Sequence, residues 1–390
     1  MTASSDFPSA LRVGETIYVG GQNATTSDVG IEAQTAEAFE RLIGRIEAAG
    51  ASMADLVNLR TYYVYAGAGG RDVTDYWERM TKVRVRYIAD PGPAATALRV
   101  GGVPAPENLI GVDGVASTDP DRQRIMPAHA WDWSMPVTLS QGWRVGDTIH
   151  VGGQISADRL GKALASGEWG AQAKNALEYI HHVLLDGGMD WADVAHMRIC
   201  FKHDGDRVAA RALLEEILEV VRATLPEPRP ALNAFGVNLL YEGLGLEIDA
   251  VAKAGGKTPV APAGSGDWIA LPGFPPACAA GNELYAAGLS APGAASLQAQ
   301  VEGTLDRLLN CLSTGGFAPE DLARLTLFMV PEGSPAQAEK DRALVMELAR
   351  QYLPQPGPVV TLLSLNGLPH DGQRFQLDAV AVRDVPRTAF

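Results

Sequence analysis

Three stretches of this chain align with one another without a gap, and an internal repeat constrains what a sequence can fold into more tightly than composition does. They are residues 32–50 (EAQTAEAFERLIGRIEAAG), 170–188 (GAQAKNALEYIHHVLLDGG) and 298–316 (QAQVEGTLDRLLNCLSTGG). Near the start of each stands a glutamine, Gln34, Gln172 or Gln300, and at the end a glycine, Gly50, Gly188 or Gly316. Apolar residues recur at i, i+3 and i+7: Phe39, Leu42 and Ile46; Leu177, Ile180 and Leu184; Leu305, Leu308 and Leu312. This spacing predicts one amphipathic helix written three times, each copy stopped by a glycine suited to a left-handed cap.

What flanks the helices repeats as well. Each is preceded by a strand pair, at 12–22, 144–154 and 281–289, read as a hairpin turning at Gly14, Gly146 or Asn282. Beyond the capping glycine comes Asp55, Asp193 or Asp321, then an alternating run (VNLRTYYVY, AHMRICFKH or ARLTLFMV) that reads as a strand. A second helical stretch follows, at 72–88, 206–224 and 335–352, and each copy ends in Pro-rich sequence and two further strands. The order β-β-α-β-α-β-β therefore occurs three times. The units are read at 1–118, 135–254 and 266–385, with the polar or Pro/Gly-rich segments 119–134 and 255–265 as linkers. Units this alike on short linkers are expected to pack around a pseudo-threefold axis.

Composition narrows the possible functions. Asp and Glu outnumber Lys and Arg by 46 to 32, and the resulting net charge of −14 repels phosphate backbones and anionic membranes, so no nucleic-acid partner is expected. No apolar run reaches the ~20 residues of a membrane-spanning helix, and the opening Met1-Thr-Ala-Ser-Ser-Asp lacks the features of a secretory signal. The expectation is a cytoplasmic protein with no membrane partner. Cys200, Cys278 and Cys311 are an odd number at wide spacings with no CxxC, which suits reduced thiols better than disulfides or thiolate zinc. Five of the seven histidines fall in the second unit without an HExxH or HxH pattern, and His181 reads as a core-edge residue on the apolar stripe. No phosphate-binding or dinucleotide fingerprint is present, so no cofactor and no metal are expected.

The glycine-rich VGGQ strand, the helix that opens with a glutamine and closes in AG or GG, the Asp-led strand and the terminal LEIDAVA strand resemble the RidA/YjgF family, and all three copies show the likeness. The resemblance implies an α+β fold: three tandem RidA-like (chorismate-mutase-like) domains forming an intramolecular pseudo-trimer, where most members are homotrimers. It also implies sites in the clefts between domains, where 2-imino or enamine acids are hydrolysed to 2-keto acids and ammonia. In the hydrolytic members an arginine in a Pro-Ala-Arg motif holds the substrate carboxylate and a glutamate in the final strand positions water. Here the arginine positions read Ala95, Leu232 and Val360, and the glutamate positions read Gly111, Glu247 and Gln376. The serine ahead of Gly-Gln reads Gly20, Gly152 and Ala287, and Leu139 falls where the second repeat would carry the family's tyrosine.

Glu247 is therefore the catalytic candidate, a lone general base or water-positioning group on the strand face it shares with Asp249, while Leu246 and Ile248 point to the helices. Asp113, Asp249 and Asp378, at equivalent places in all three copies, are expected to pair a turn or a neighbouring repeat's cation. Two cations are candidates to replace the missing arginine in substrate binding: Arg198, which alternation points toward the pseudo-threefold centre, and Arg99, four residues past Ala95. Arg211 on the second helix and Asn233 beside Leu232 complete the substrate-binding set. The expected function is that of a small-molecule enzyme, a hydrolase or deaminase acting on a C–N bond in an inter-repeat cleft. Two alternatives stay open, a non-catalytic ligand-binding or regulatory scaffold and chorismatase-like action on a cyclic carboxylate. Endoribonuclease activity, ascribed to some family members, is disfavoured by the acidic balance. The expected partners are a small-molecule substrate and, at most, further copies of the chain in a low-order homo-oligomer.

Overall fold

The computed structural model describes residues 7–26, 29–67, 71–128, 137–158, 160–267 and 271–390. The opening six residues and positions 129–134 of the first expected linker lie outside them. The first repeat runs β1 (Ala10–Val13), β2 (Thr16–Asn23), α1 (Ile31–Ala48), β3 (Leu56–Tyr63), α2 (Arg71–Arg84), β4 (Ala94–Arg99) and β5 (Ile110–Ser117), with β6 (Arg122–Ile125) after it. The second runs β7 (Gly142–Val145), β8 (Thr148–Gln154), α3 (Trp169–Asp186), β9 (Val194–Lys202), α4 (Arg207–Thr224), β10 (Ala231–Val237) and β11 (Leu246–Lys253), followed by β12 (Thr258–Val260). The third runs β13 (Ala277–Ala280), β14 (Glu283–Leu289), α5 (Leu297–Gly315), β15 (Leu322–Met329), α6 (Pro335–Tyr352), β16 (Val359–Ser364) and β17 (Phe375–Val382), followed by β18 (Arg387–Ala389). The α+β class and the three repeats of the RidA-like fold are as the sequence predicts. The second helix of the first repeat stops at Arg84 instead of continuing to 88.

Each repeat builds a mixed six-stranded sheet with its two helices on one face. The predicted apolar stripes of α1, α3 and α5 are fully buried in three separate cores between helices and sheet. The repeated polar residues have structural work. The amide of Gln34 donates to Glu107 O (3.0 Å) and its oxygen accepts from Leu109 N (2.7 Å); Gln172 does the same with Gly243 O and Gly245 N, and Gln300 with Gly372 O and Arg374 N. Each glutamine so satisfies the backbone of the loop that delivers the last long strand of its repeat. Asp55, Asp193 and Asp321 accept from the backbone N–H three residues earlier (2.8–3.1 Å), fixing a single 3-10 turn before β3, β9 and β15. The capping glycines Gly50, Gly188 and Gly316 sit at φ 82°, 77° and 75°. In the third hairpin the left-handed residue is Gly281 (φ 58°), not Asn282. His181 lies at the rim, a third exposed, stacked on Trp191 with Nε2 2.9 Å from Asp190 Oδ1.

The two segments expected as linkers, and the residues after the third unit, carry strands, and each strand belongs to the next repeat's sheet. β6 pairs with β7, β12 with β13, and β18 with β1 (Leu11 opposite Ala389, Val13 opposite Arg387), so strands are passed on cyclically through all three sheets. The sheets also touch pairwise in a ring: β4 packs on β8, β10 on β14, and β16 on β2. Backbones approach closely there. A Cβ on Gly152 would lie 3.0 Å from Ala95 N and O, and one on Gly20 would lie 2.8 Å from Val360 O.

Facing the centre of the ring are equivalent side chains in layers, set by strand register. Tyr62, Cys200 and Phe328, with Leu98, Phe235 and Leu363, form an apolar plug in which the Phe235 and Phe328 rings stack at 4.7 Å. Two residues along, register sets Arg60 opposite Asp113, Arg198 opposite Asp249 and Thr326 opposite Asp378; with Arg324, two residues before Thr326, these make a belt of three arginines and three aspartates. Arg198, fully buried, donates Nε to both oxygens of Asp249 (2.9 and 3.2 Å), Arg324 donates to Asp113 of the first repeat, and Asn233 donates to Asp378 (2.8 Å) of the third.

Candidate functional site

Glu247 sits on β11 opposite Cys200 of β9, on the strand face away from the helices. Its carboxyl is 9% exposed and lines a cavity of about 70 Å³ between the first and second repeats. The first repeat contributes Ala95 and Ala97 from β4 and Trp77 and Arg84 from α2; the second contributes Leu139 to Gln141, Gly153 and Gln154 of β8, and the loop Leu239–Tyr241 with Leu244. Gly153 makes the site possible, because a Cβ there would collide with Glu247 Oε1. Burial pushes the Glu247 carboxyl up to about 8, the neighbouring Asp249 adding to the rise, while Arg198 and the backbone N–H of Ala97 pull against it. At neutral pH the group therefore holds a proton and stands ready to exchange it.

The second charged group in this cavity is one the sequence reading passed over. Arg84, in the last turn of α2, is 2% exposed, its Nε is buried without a partner, and its side chain makes no hydrogen bond or ion pair with any other described residue. Burial alone lowers its pKa to about 10. A desolvated guanidinium without a counter-charge is costly. Its signal was present in the repeat: counting back from Pro91, Pro228 and Pro356, the position of Arg84 is filled by Val221 and Ala349, both in apolar cores.

The other four candidates are not gathered here. Arg198 is paired with Asp249 through Nε and Nη2 on the central belt, with Nη1 buried and unpartnered, so its charge is already met and it is not a free anion clamp. Register explains this: Arg198 lies directly opposite Asp249 on the neighbouring antiparallel strand. Arg99 turns outward, donating to Tyr65 O (2.8 Å) and Gly67 O (3.0 Å) and stacking on the Tyr65 ring at 5.0 Å. It lines a surface crevice that shares Leu239, Leu240, Tyr241 and Leu244 with the Glu247 cavity, so that loop is the wall between them. Asn233 is locked between the second and third repeats, bonded to Asp378 and to Gln376 Nε2 (2.7 Å). Arg211 is exposed, 3.7 Å from Asp371. Cys200 is buried in the apolar plug, and burial pushes its thiol well above the ordinary range, which leaves it no thiolate character.

The three equivalent clefts have thus diverged. Between the second and third repeats Asn233, Gln376 and Asp378 fill the space, leaving about 10 Å³. Between the third and first, Val360 and Thr361 pack directly on Gly20 and Gly21.

A family model described as Endoribonuclease L-PSP matches residues 1–118 and again residues 134–254, together more than half of the chain. The chain belongs to the RidA/YjgF family. Among RidA/YjgF relatives, the human 2-iminobutanoate/2-iminopropanoate deaminase is 29% identical over 116 residues, covering 30% of this chain and 80% of the relative. A RutC family protein of Pyrococcus abyssi (strain GE5 / Orsay) is 28% identical over 116 residues, 28% of this chain and 84% of its own length. Of solved structures, a chorismatase matches with 18% identity and a TM-score of 0.48, over 63% of this chain and 75% of that chain. No helix among the described residues is long and apolar enough to cross a membrane.

Proposed function

We propose that the chain is a hydrolase that releases ammonia or an amine from a small carboxylate carrying a C–N bond, with its one working cleft between the first and second repeats. The observation that carries this reading is the pairing, in one enclosed cavity, of a protonated buried carboxyl, Glu247, with an uncommitted buried guanidinium, Arg84. Arg84 meets the substrate carboxylate from a helix, in place of the strand arginine whose positions are Ala95, Leu232 and Val360. Glu247 gives its proton to the nitrogen of a C=N bond, and the carboxylate so formed takes one from a water whose oxygen adds to the carbon. Collapse of the resulting carbinolamine breaks the C–N bond and leaves a keto acid and ammonia. A volume equal to two or three waters admits only a small reacting group, and the apolar Leu139, Ile155 and Leu244 keep bulk water from it. The human relative's name, an imino-acid deaminase, supports 2-imino acids as the first substrates to try.

The test is ammonia release from 2-iminopropanoate and 2-iminobutanoate generated in the cuvette. Glu247→Gln is expected to lower turnover by ~10²–10⁴-fold, and Arg84→Met to raise KM by ~10-fold or more through loss of a charge-assisted pair. Full turnover in Glu247→Gln, with the fold intact, would move the chemistry elsewhere.

A further inference from the structure

Along the ring's central axis lies a second and larger cavity, about 310 Å³, lined by all three repeats and separate from the Glu247 cleft. Strand register gives its depth. Residues at or beside the three hairpin turns, Glu15, Gly146 and Glu283, stand at its mouth; two residues into each hairpin strand come Tyr18, His150 and Tyr285; at its floor lie Arg60, Thr326 and Asp378, and the apolar plug closes the axis beyond them. The three ring-bearing residues occupy equivalent positions and form an aromatic collar between a charged floor and an acidic mouth that includes Glu15, Asp119 and Asp147.

The floor holds one cation whose only ion pair among the described residues is a long one. Of the three belt arginines, Arg198 is spent on Asp249 and Arg324 is bonded to Asp113. The side chain of Arg60, 7% exposed, makes no hydrogen bond with any described residue, its Nε is buried and unpartnered, and it is ion-paired to Asp249 Oδ1 only at 3.9 Å. The three arginines and Asp113, Asp249 and Asp378 balance in formal charge, and Asp378 is already held by Asn233 and Gly288 N. The group with N–H donors still to be met is a single guanidinium, which suits one carboxylate; a phosphate dianion would face three aspartates and the acidic mouth. The field at the collar agrees: burial and then Arg60, Arg324 and Lys253 hold the His150 imidazole down at about 3, neutral at every working pH.

We propose that the axial chamber binds a small planar carboxylate, its carboxylate on Arg60 and its flat body within the collar of Tyr18, His150 and Tyr285. The chamber has room for a molecule that displaces ~10 waters, the size of a substituted benzoate. This is a binding site distinct from the proposed catalytic cleft, and nothing in it supplies a nucleophile.

Calorimetric titration of the full chain with benzoate, 4-hydroxybenzoate and nicotinate tests it, with inorganic phosphate as the dianion control. At least one planar carboxylate is expected to bind saturably, one per chain. Its affinity should fall ~10-fold or more in Arg60→Met, the loss for one charge-assisted pair, and stay unchanged in Arg84→Met. Soaking crystals of the unaltered chain in 4-bromobenzoate, with anomalous scattering from bromine, locates the ligand even if Arg60→Met does not fold. Absence of saturable binding up to 10 mM, tighter binding of phosphate, affinity lost with Arg84 instead of Arg60, or bromine found off the axis would each overturn the proposal.

Discussion

Replacing Glu247 by glutamine should make the protein more stable, and only in alkali. The carboxyl ionises near 4.5 in an unfolded chain and near 8 in the folded one, because burial and Asp249 oppose its charge. Between those values the folded state binds more protons than the unfolded state, so this group's contribution to stability falls as pH rises through the window and is fully lost above it. A shift of that size corresponds to about 5 kcal/mol at pH 9, at ~1.4 kcal/mol per pKa unit. With an unfolding entropy of ~2 cal/mol/K per residue, a chain this long would register the difference as ~6 °C in Tm. Glutamine keeps the shape and removes the ionisation. Calorimetric melts of the two proteins at pH 4.5 and pH 9 isolate the effect, since every other titrating group is shared. The variant should match the parent in acid and melt several degrees higher in alkali. Equal Tm differences at both pH values would mean that Glu247 ionises normally, and the argument for a desolvated proton donor would fail.

Three further outcomes are expected. Turnover should decline above pH 8 as Glu247 loses the proton it donates to nitrogen, and a kcat profile still rising at pH 9.5 would contradict that role. Arg84→Val installs the residue that stands at this position in the second repeat, so it should stabilise the fold by ~1–4 kcal/mol while abolishing carboxylate binding in the cleft, read by denaturant melts alongside KM. Gly20→Val should cost ~1–3 kcal/mol, because its Cβ meets Val360 O at the third-to-first interface; an unchanged melt would show that this strand contact is loose.

The fold was readable because the chain states it three times: the stripes of α1, α3 and α5, the glutamines and the capping glycines each appear at matching places, and a pattern repeated in register averages out local ambiguity. Glu247 was readable for a related reason, as the one ionisable residue among Gly111, Glu247 and Gln376. Arg198 misled because a charged residue on an inward strand face looks the same whether it awaits a ligand or lies opposite an aspartate, and only the register of β9 on β11 decides between them. Arg84 escaped because the family resemblance points to the start of the second helix, where Arg211 stands, and not to its last turn, although an arginine aligned with Val221 and Ala349 was the anomaly to follow. The strands in the two expected linkers and the one after the third unit are only three or four residues long, too short for alternation to show, and their partners lie in another repeat.

The hand-over of β6, β12 and β18 from each repeat to the next bears on how the molecule comes apart. A repeat that frays would strip the edge strand from its successor and lose the one lent by its predecessor, so unfolding of any one sheet penalises both others. Arg387 strengthens the last of these links: from β18 it donates to Leu322 O (3.2 Å) and Asp321 O (3.2 Å) of the third repeat while its own strand lies on β1 of the first. Three sheets coupled around a circle in this way have no terminal member from which melting can start, unlike a linear array of repeats. The chain should therefore melt in one cooperative transition, and its three clefts were free to diverge in sequence without any of them having to hold the assembly together alone.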